Sequence, residues 1–260
     1  MLLRRVIKHF KNQEWTAICI DFLIVVLGVF VATQVATWNE GRADNDRARA
    51  YLERLNRDIE SDISNAHLKM QFWEEVLKYG KVGLDYAETG NDNGNSKGEL
   101  LLAYFHASQV NEYYVADITY QEMKSAGDLG LINGSVLREA LGGYYQLGNN
   151  ASFSERPKYR EHVRSIIPIE MQSYFWANCF SSDGSGEQTM LACGQVFAED
   201  KVDSVIKNLV SNQTLMQELR YWMSSLEVAL LIGQNTLDSA NRVKALIEQE
   251  LRTVGLETTP

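Results

Sequence analysis

Proline is scarce: the chain has three in 260 residues, so little interrupts a helix once one has started. No stretch alternates apolar and polar residues over a strand length, which removes the ordinary signal for a sheet. The cysteines also number three, Cys19, Cys179 and Cys193, too few for a disulfide scaffold or a Cys-rich zinc module. The four histidines, His9, His67, His106 and His162, stand at no recognised zinc or di-iron spacing. There is no G-x-S-x-G elbow, P-loop or G-x-G-x-x-G turn, and Cys179 and Cys193 are too far apart for a redox C-x-x-C motif. A net charge of −9 lacks the basic stripe that nucleic acid requires. No reaction, metal or cofactor is implied.

What the chain does have is one long apolar run, AICIDFLIVVLGVFVATQVATW, from Ala17 to Trp38. About 22 residues at 1.5 Å each reach roughly 33 Å, enough to cross a bilayer core. Asp21 is its only formal charge, and Trp15 and Trp38 bracket it where aromatic rings favour membrane interfaces. A transmembrane helix over 16–38 is therefore expected. A cleaved signal fits less well, because its apolar region is shorter and the exit at Ala36 has Gln34 two residues before it. A buried core helix of this length is also a poorer fit.

Orientation is nearly tied by basic residues alone. Arg4, Arg5, Lys8 and Lys11 precede the run, while Arg42, Arg47, Arg49 and Arg54 follow it among acids. Cys179 and Cys193 break the tie. They flank a Ser/Gly-rich polar loop, suit a disulfide, and so favour an oxidising compartment; two buried free thiols are the alternative. The expectation is a bacterial inner-membrane protein with residues 1–15 as a cytoplasmic amphipathic segment on the lipid surface. Residues 39–260 would form a periplasmic domain, leaving no room for a cytoplasmic catalytic or signalling unit.

Gly28, Ala32 and Ala36 recur every fourth residue, and Asp21 lies seven residues before Gly28 on the same face. Small residues so spaced let helix backbones approach closely in lipid, and a carboxylate at that depth favours protein or water. This face is expected to pack on other transmembrane helices, of a second copy or of a larger complex. The alternative is an Asp21 shallow enough to reach the headgroups.

The remainder reads as an all-α bundle. Leu52, Leu55, Ile59, Ile63, Ala66, Met70, Trp73 and Leu77 mark an amphipathic helix of about 40 residues, coiled-coil-like in its stripe. Arg54, Arg57, Asp58, Glu60 and Asp62 read as its solvated face. The polar loop over 88–99 ends it. Shorter helices are expected over 99–110, 117–132, 135–147 and 198–210, with a helical run over 151–178 kinked at Pro168. From Thr214 to Val254, the stripe Leu215, Leu219, Trp222, Leu226, Leu230, Gly233, Leu237, Ala240, Val243, Ile247 and Leu251 predicts a second long helix. Two long helices at the ends of the domain suggest an antiparallel pair.

At the anchor exit, GVFVATQVATWNEGR followed by YLERLNRDIESDI resembles an uncharacterised bacterial single-pass membrane family, in which the span ends in a Gln…Trp-Asn-Glu pattern before a long helix. The stretch TYQEMKSAGDLGLINGSVLREALGGYYQL resembles that family's middle segment. The resemblance implies the architecture but no activity. It marks Gln34, Trp38, Asn39 and Glu40 as a structural junction at the membrane surface.

Asp117, Glu122 and Asp128 around Tyr120 form the acidic group that could line a pocket, although capping and solvation explain them as well. His106 reads as a satisfied core histidine, and Tyr113, Tyr144, Tyr145, Phe175 and their aromatic neighbours as core. The leading expectation is a non-enzymatic accessory or structural membrane subunit. A periplasmic small-molecule-binding bundle that signals through a partner comes second, and an enzyme acting on envelope material third.

Overall fold

The computed structural model describes residues 15–183, 187–194 and 196–257; the amphipathic segment expected before Trp15 lies outside them. The fold is all-α apart from one small hairpin. Helix α1 runs unbroken from Trp15 to Thr89, 75 residues, or about 110 Å. Its first part is long and apolar enough to cross a membrane, and none of that part is buried against the rest of the chain.

The helix passes without a joint from the expected span over 16–38 through Asn39-Glu40-Gly41 into the body. One glycine costs a helix only about 1 kcal/mol. Around it stand good helix formers, with Arg47 paired to Asp44 at 2.6 Å and Arg49 to Glu53 at 3.0 Å one turn apart.

The opposite long helix, α8 (Gln213–Glu257), runs antiparallel to α1. Three cross-helix ion pairs fix the register: Glu60 to Lys244 at 2.9 Å, Lys81 to Glu227 at 2.9 Å and Glu88 to Arg220 at 2.8 Å. These pairs are solvent-exposed and mark alignment more than stability. Stability comes from the apolar seam between them, where Leu52, Leu55, Ile59 and Val76 of α1 and Leu219, Leu226, Val243 and Ile247 of α8 are buried.

Helix α2 (Lys97–His106) starts at a capping box in which Ser96 and Glu99 bond each other's backbone N–H groups. From Leu100 to His106 every residue is buried, so it is the central element of the body. It stops at His106, short of the 99–110 span its apolar residues suggested. Residues 107–117 instead form an irregular strap through the interior. Such a strap must have its backbone groups satisfied. Trp222 Nε1 donates to Ala107 O at 3.0 Å and Trp73 Nε1 to Asn111 O at 3.0 Å. Arg160 Nη1 donates to Ser108 O at 2.7 Å, and Tyr113 N–H to Phe153 O at 3.1 Å.

After the strap come α3 (Ile118–Ala126), a 3₁₀ turn at Asp128–Leu131 and α4 (Ser135–Gly148). Gly127 closes α3 with φ of 78°, a left-handed position that favours glycine. The run expected over 151–178 resolves into a 3₁₀ turn at Ala151–Phe153, α5 (Lys158–Ile166) and α6 (Ile169–Asn178). Pro168 separates the last two outright, because its ring forces Ile167 into extended backbone. A short antiparallel hairpin, β1 (Phe180–Ser182) with β2 (Gln188–Met190), and then α7 (Glu199–Ser211) lead into α8.

Candidate functional site

The anchor residues take their directions from the continuity of α1. Eighteen residues make about five turns, so positions eighteen apart share a direction. Gly28 and Ala32 therefore point as Asp46 and Ala50 do, and both of those are solvent-exposed. Gln34 and Thr37 point as the core residues Leu52 and Leu55 do. Gly28, Ala32 and Ala36, with half-exposed Asp21, thus form a stripe turned away from the side on which the body hangs. A Cβ placed on Gly28 would meet nothing within 4 Å. Thr33 and Thr37 return their hydroxyl protons to carbonyls of their own helix at 2.8 and 3.0 Å, so neither leaves an unsatisfied donor in the apolar part.

The junction residues do not share one face. Gln34 and Trp38, four apart, share one side of α1, while Asn39 and Glu40 point about 140° and about 120° away from Gln34 in opposite senses. Trp38 is 66% exposed.

Cys179 and Cys193 lie at disulfide distance, their Cα atoms 5.2 Å apart, at the two ends of the β1–β2 hairpin. Leu191 N–H donates to Cys179 O at 2.8 Å, tying the hairpin's return strand to the end of α6. The hairpin lies against α1 and leaves a partly roofed groove of about 190 Å³ between them. Lys69, Phe72 and Glu75 line its helix side, Asn111 its base, and Glu187 to Thr189 its hairpin side. Lys69 Nζ donates to Asn111 Oδ1, and burial lowers its amine from the usual lysine value.

The acids around Tyr120 are each engaged by a side chain, and Glu122 and Asp128 both face Tyr51. Glu122 pairs with Arg54 at 2.5 Å, Asp128 accepts from Tyr51 at 3.1 Å, and Asp117 accepts from Gln121 at 3.1 Å. The buried carboxylate is a different one, Asp62, only 3% exposed, which the charge pattern had placed on the solvated face. It accepts the Ala116 N–H at 2.9 and 3.1 Å and the Tyr144 hydroxyl at 2.6 Å. Burial raises its carboxyl above the ordinary value, and these hydrogen bonds oppose the rise. The available signal was register: Asp62 follows Ile59 by three positions and sits on the apolar stripe. Beside it Tyr145 stacks on Tyr120 with ring centres 4.4 Å apart.

A second polar group lies at the end of α2. Arg164 donates to Ser108 Oγ at 3.0 Å and Gln109 Oε1 at 3.1 Å, and its guanidinium lies over Phe105 and Trp176 at 5.3 and 5.0 Å. Burial, with Arg160 beside it, disfavours its charge. The C-terminal end of a helix partly compensates such cations. His106 is fully buried: Nε2 lies 3.4 Å from Leu191 O, while Nδ1 has no partner among the described residues.

Among the described residues no group of three or more His, Cys, Asp or Glu is placed to hold a metal ion. Comparison with protein-family models, with curated proteins and with solved structures finds no match.

Proposed function

We propose that this chain is a single-pass bacterial inner-membrane protein with a periplasmic helical body. It would act without chemistry of its own, as an accessory or structural subunit that docks through its span on a larger membrane complex or on a second copy. The reading keeps the family resemblance of the anchor exit as part of the same proposal.

The observation that carries it is the unbroken α1. Its apolar, unburied first part and its core-forming second part are one rod, so whatever holds the anchor holds the body without a hinge. The small-residue stripe points away from the body, so a partner helix in the lipid could approach it without meeting the bundle. The lipid bilayer and other transmembrane helices are the partners of this reading. Its chemistry is packing plus a hydrogen bond or charge for Asp21.

Purification in mild detergent after in-membrane crosslinking tests it. A discrete assembly larger than one chain is expected, dissociating when Gly28→Leu and Ala32→Leu fill the stripe. A monomer with no crosslinked partner would overturn the docking reading. Protease added outside spheroplasts should digest the body, and a protected body would overturn the topology.

A further inference from the structure

We propose that the groove between α1 and the disulfide hairpin binds a small zwitterionic amino acid, its carboxylate on Lys69 and its ammonium on Glu75 and Glu187. The inference is independent of the docking reading, since it concerns the body and not the span.

Size is the first constraint. About 190 Å³ is a little more than the roughly 150 Å³ of a cavity that takes up benzene, the scale of a small free amino acid.

Charge is the second. Lys69 is half-buried, and its lowered amine reflects burial alone, with no carboxylate contributing. Its contact is the neutral amide oxygen of Asn111. A carboxylate from a ligand would supply the missing countercharge and a charge-assisted hydrogen bond. A bare anion is disfavoured, however, because Glu75 and Glu187 line the same groove and leave its walls net negative. A molecule carrying both charges satisfies both. Lys69 and Glu75 are six positions apart on α1, about 120° around the helix, so they enter from different sides and do not neutralise each other.

Rigidity is the third. The Asn111 backbone is pinned by the Trp73 indole at 3.0 Å, so the group that aims Lys69 is itself fixed. Phe72, 3% exposed, supplies an apolar floor. The hairpin wall is held in register by Ser181 opposite Thr189 and Ser182 opposite Gln188, and at its ends by Cys179 and Cys193. Gln188 and Thr189 add polar groups without net charge. A preformed pocket of this kind avoids part of the ordering cost of binding.

Calorimetric titration of the full chain in detergent micelles tests the proposal, with L-serine and L-glutamine as probes and acetate, phosphate and ethylamine as single-charge controls. Saturable binding of at least one amino acid is expected. It should be weakened about tenfold or more by Lys69→Met and by Glu75→Gln, as for loss of one charged hydrogen bond. Each single-charge control should bind at least about tenfold more weakly. Glu75→Gln, whose side chain is only half-buried, should melt as the unaltered chain does and so tests the site even if Lys69→Met misfolds. No saturable binding of either amino acid, equal binding of acetate, or full affinity in both variants would each overturn it.

Discussion

Tyr144 of α4 donates its hydroxyl proton to Asp62 of α1 at 2.6 Å, and neither side chain is open to solvent. The pair joins elements 82 positions apart, and the same carboxylate holds the strap through Ala116. A buried carboxylate deprived of a donor bears a desolvation cost it can no longer offset. Tyr144→Phe, which keeps the ring and removes only the donor, should therefore lower stability by about 2 kcal/mol. In Asp62→Asn the same tyrosine change should cost less, because the buried charge is gone. Thermal melting of the full chain in detergent across this double-mutant cycle measures the coupling, and additive effects would contradict it.

Acid acts on two buried groups with opposite sign. Burial pulls the His106 imidazole from 6.5 down to about 4, so the folded chain holds it neutral where the unfolded chain would protonate it. That contribution is complete above pH 6.5 and is lost as pH falls from 6.5 towards 4, by about 3 kcal/mol over the window. Asp62 is raised above 3.8, so its ionised form burdens the fold at neutral pH, and the burden lifts as pH falls through the raised value. His106→Gln should flatten the acid-side loss of melting temperature. Asp62→Asn should steepen it by removing the compensating gain. Melting curves at half-unit pH steps separate the two slopes.

The long helices were legible because period alone defines them. Leu215, Leu219, Trp222, Leu226, Val243 and Ile247 are all buried on one face of α8, as their spacing required. What the sequence could not show depends on partners distant in the chain. Gln109 and Val110 continue a helical pattern, yet Trp73, Asp62, Arg160 and Trp222 bond the strap's backbone or anchor it, and each stands far from it in sequence. The hairpin was missed because its three-residue strands are too short to alternate. The helix runs unbroken through Gly41 because one glycine costs too little to end it. Of the candidate sites, the anchor stripe was readable from a four-residue spacing. The groove was not, because its walls come from three separate parts of the chain.

Close packing without strain separates two glycines in helices. A Cβ on Gly148 would come within 2.7 Å of Val115 Cγ2 and 3.1 Å of its Cβ. Valine is stiff at χ1 and sits in the buried strap, so it cannot step aside. Gly148→Ala should cost about 1–3 kcal/mol. At Gly80 the obstacle is Met223, whose Sδ would be the nearest atom, with Cε at 2.6 Å and Cγ at 3.0 Å, so the whole end of the side chain must turn away. Methionine has three rotatable bonds, and alanine improves helix propensity by about 1 kcal/mol, so Gly80→Ala should cost less. Parallel melts of the two variants decide the order, and a larger loss at Gly80 would contradict the argument.

Thiol chemistry gives a prediction in which the three cysteines differ. Cys179 and Cys193 are placed for a disulfide, whereas Cys19 is free and exposed in the apolar part of α1. Alkylation of unreduced, detergent-solubilised protein should therefore modify Cys19 alone, and reduction under denaturing conditions should release two further thiols, read by peptide mass. Closing a loop of about 15 residues contributes roughly 3 kcal/mol in the chain-entropy account. The loop holds only the hairpin, so paired Cys179→Ser and Cys193→Ser changes should lower melting while leaving the far-ultraviolet helical signal intact. If the apolar part of α1 lies in lipid, a membrane-impermeant maleimide should leave Cys19 unmodified in intact cells and modify it once detergent is added. Labelling in intact cells would place that part of α1 in water and remove the basis for reading it as a span.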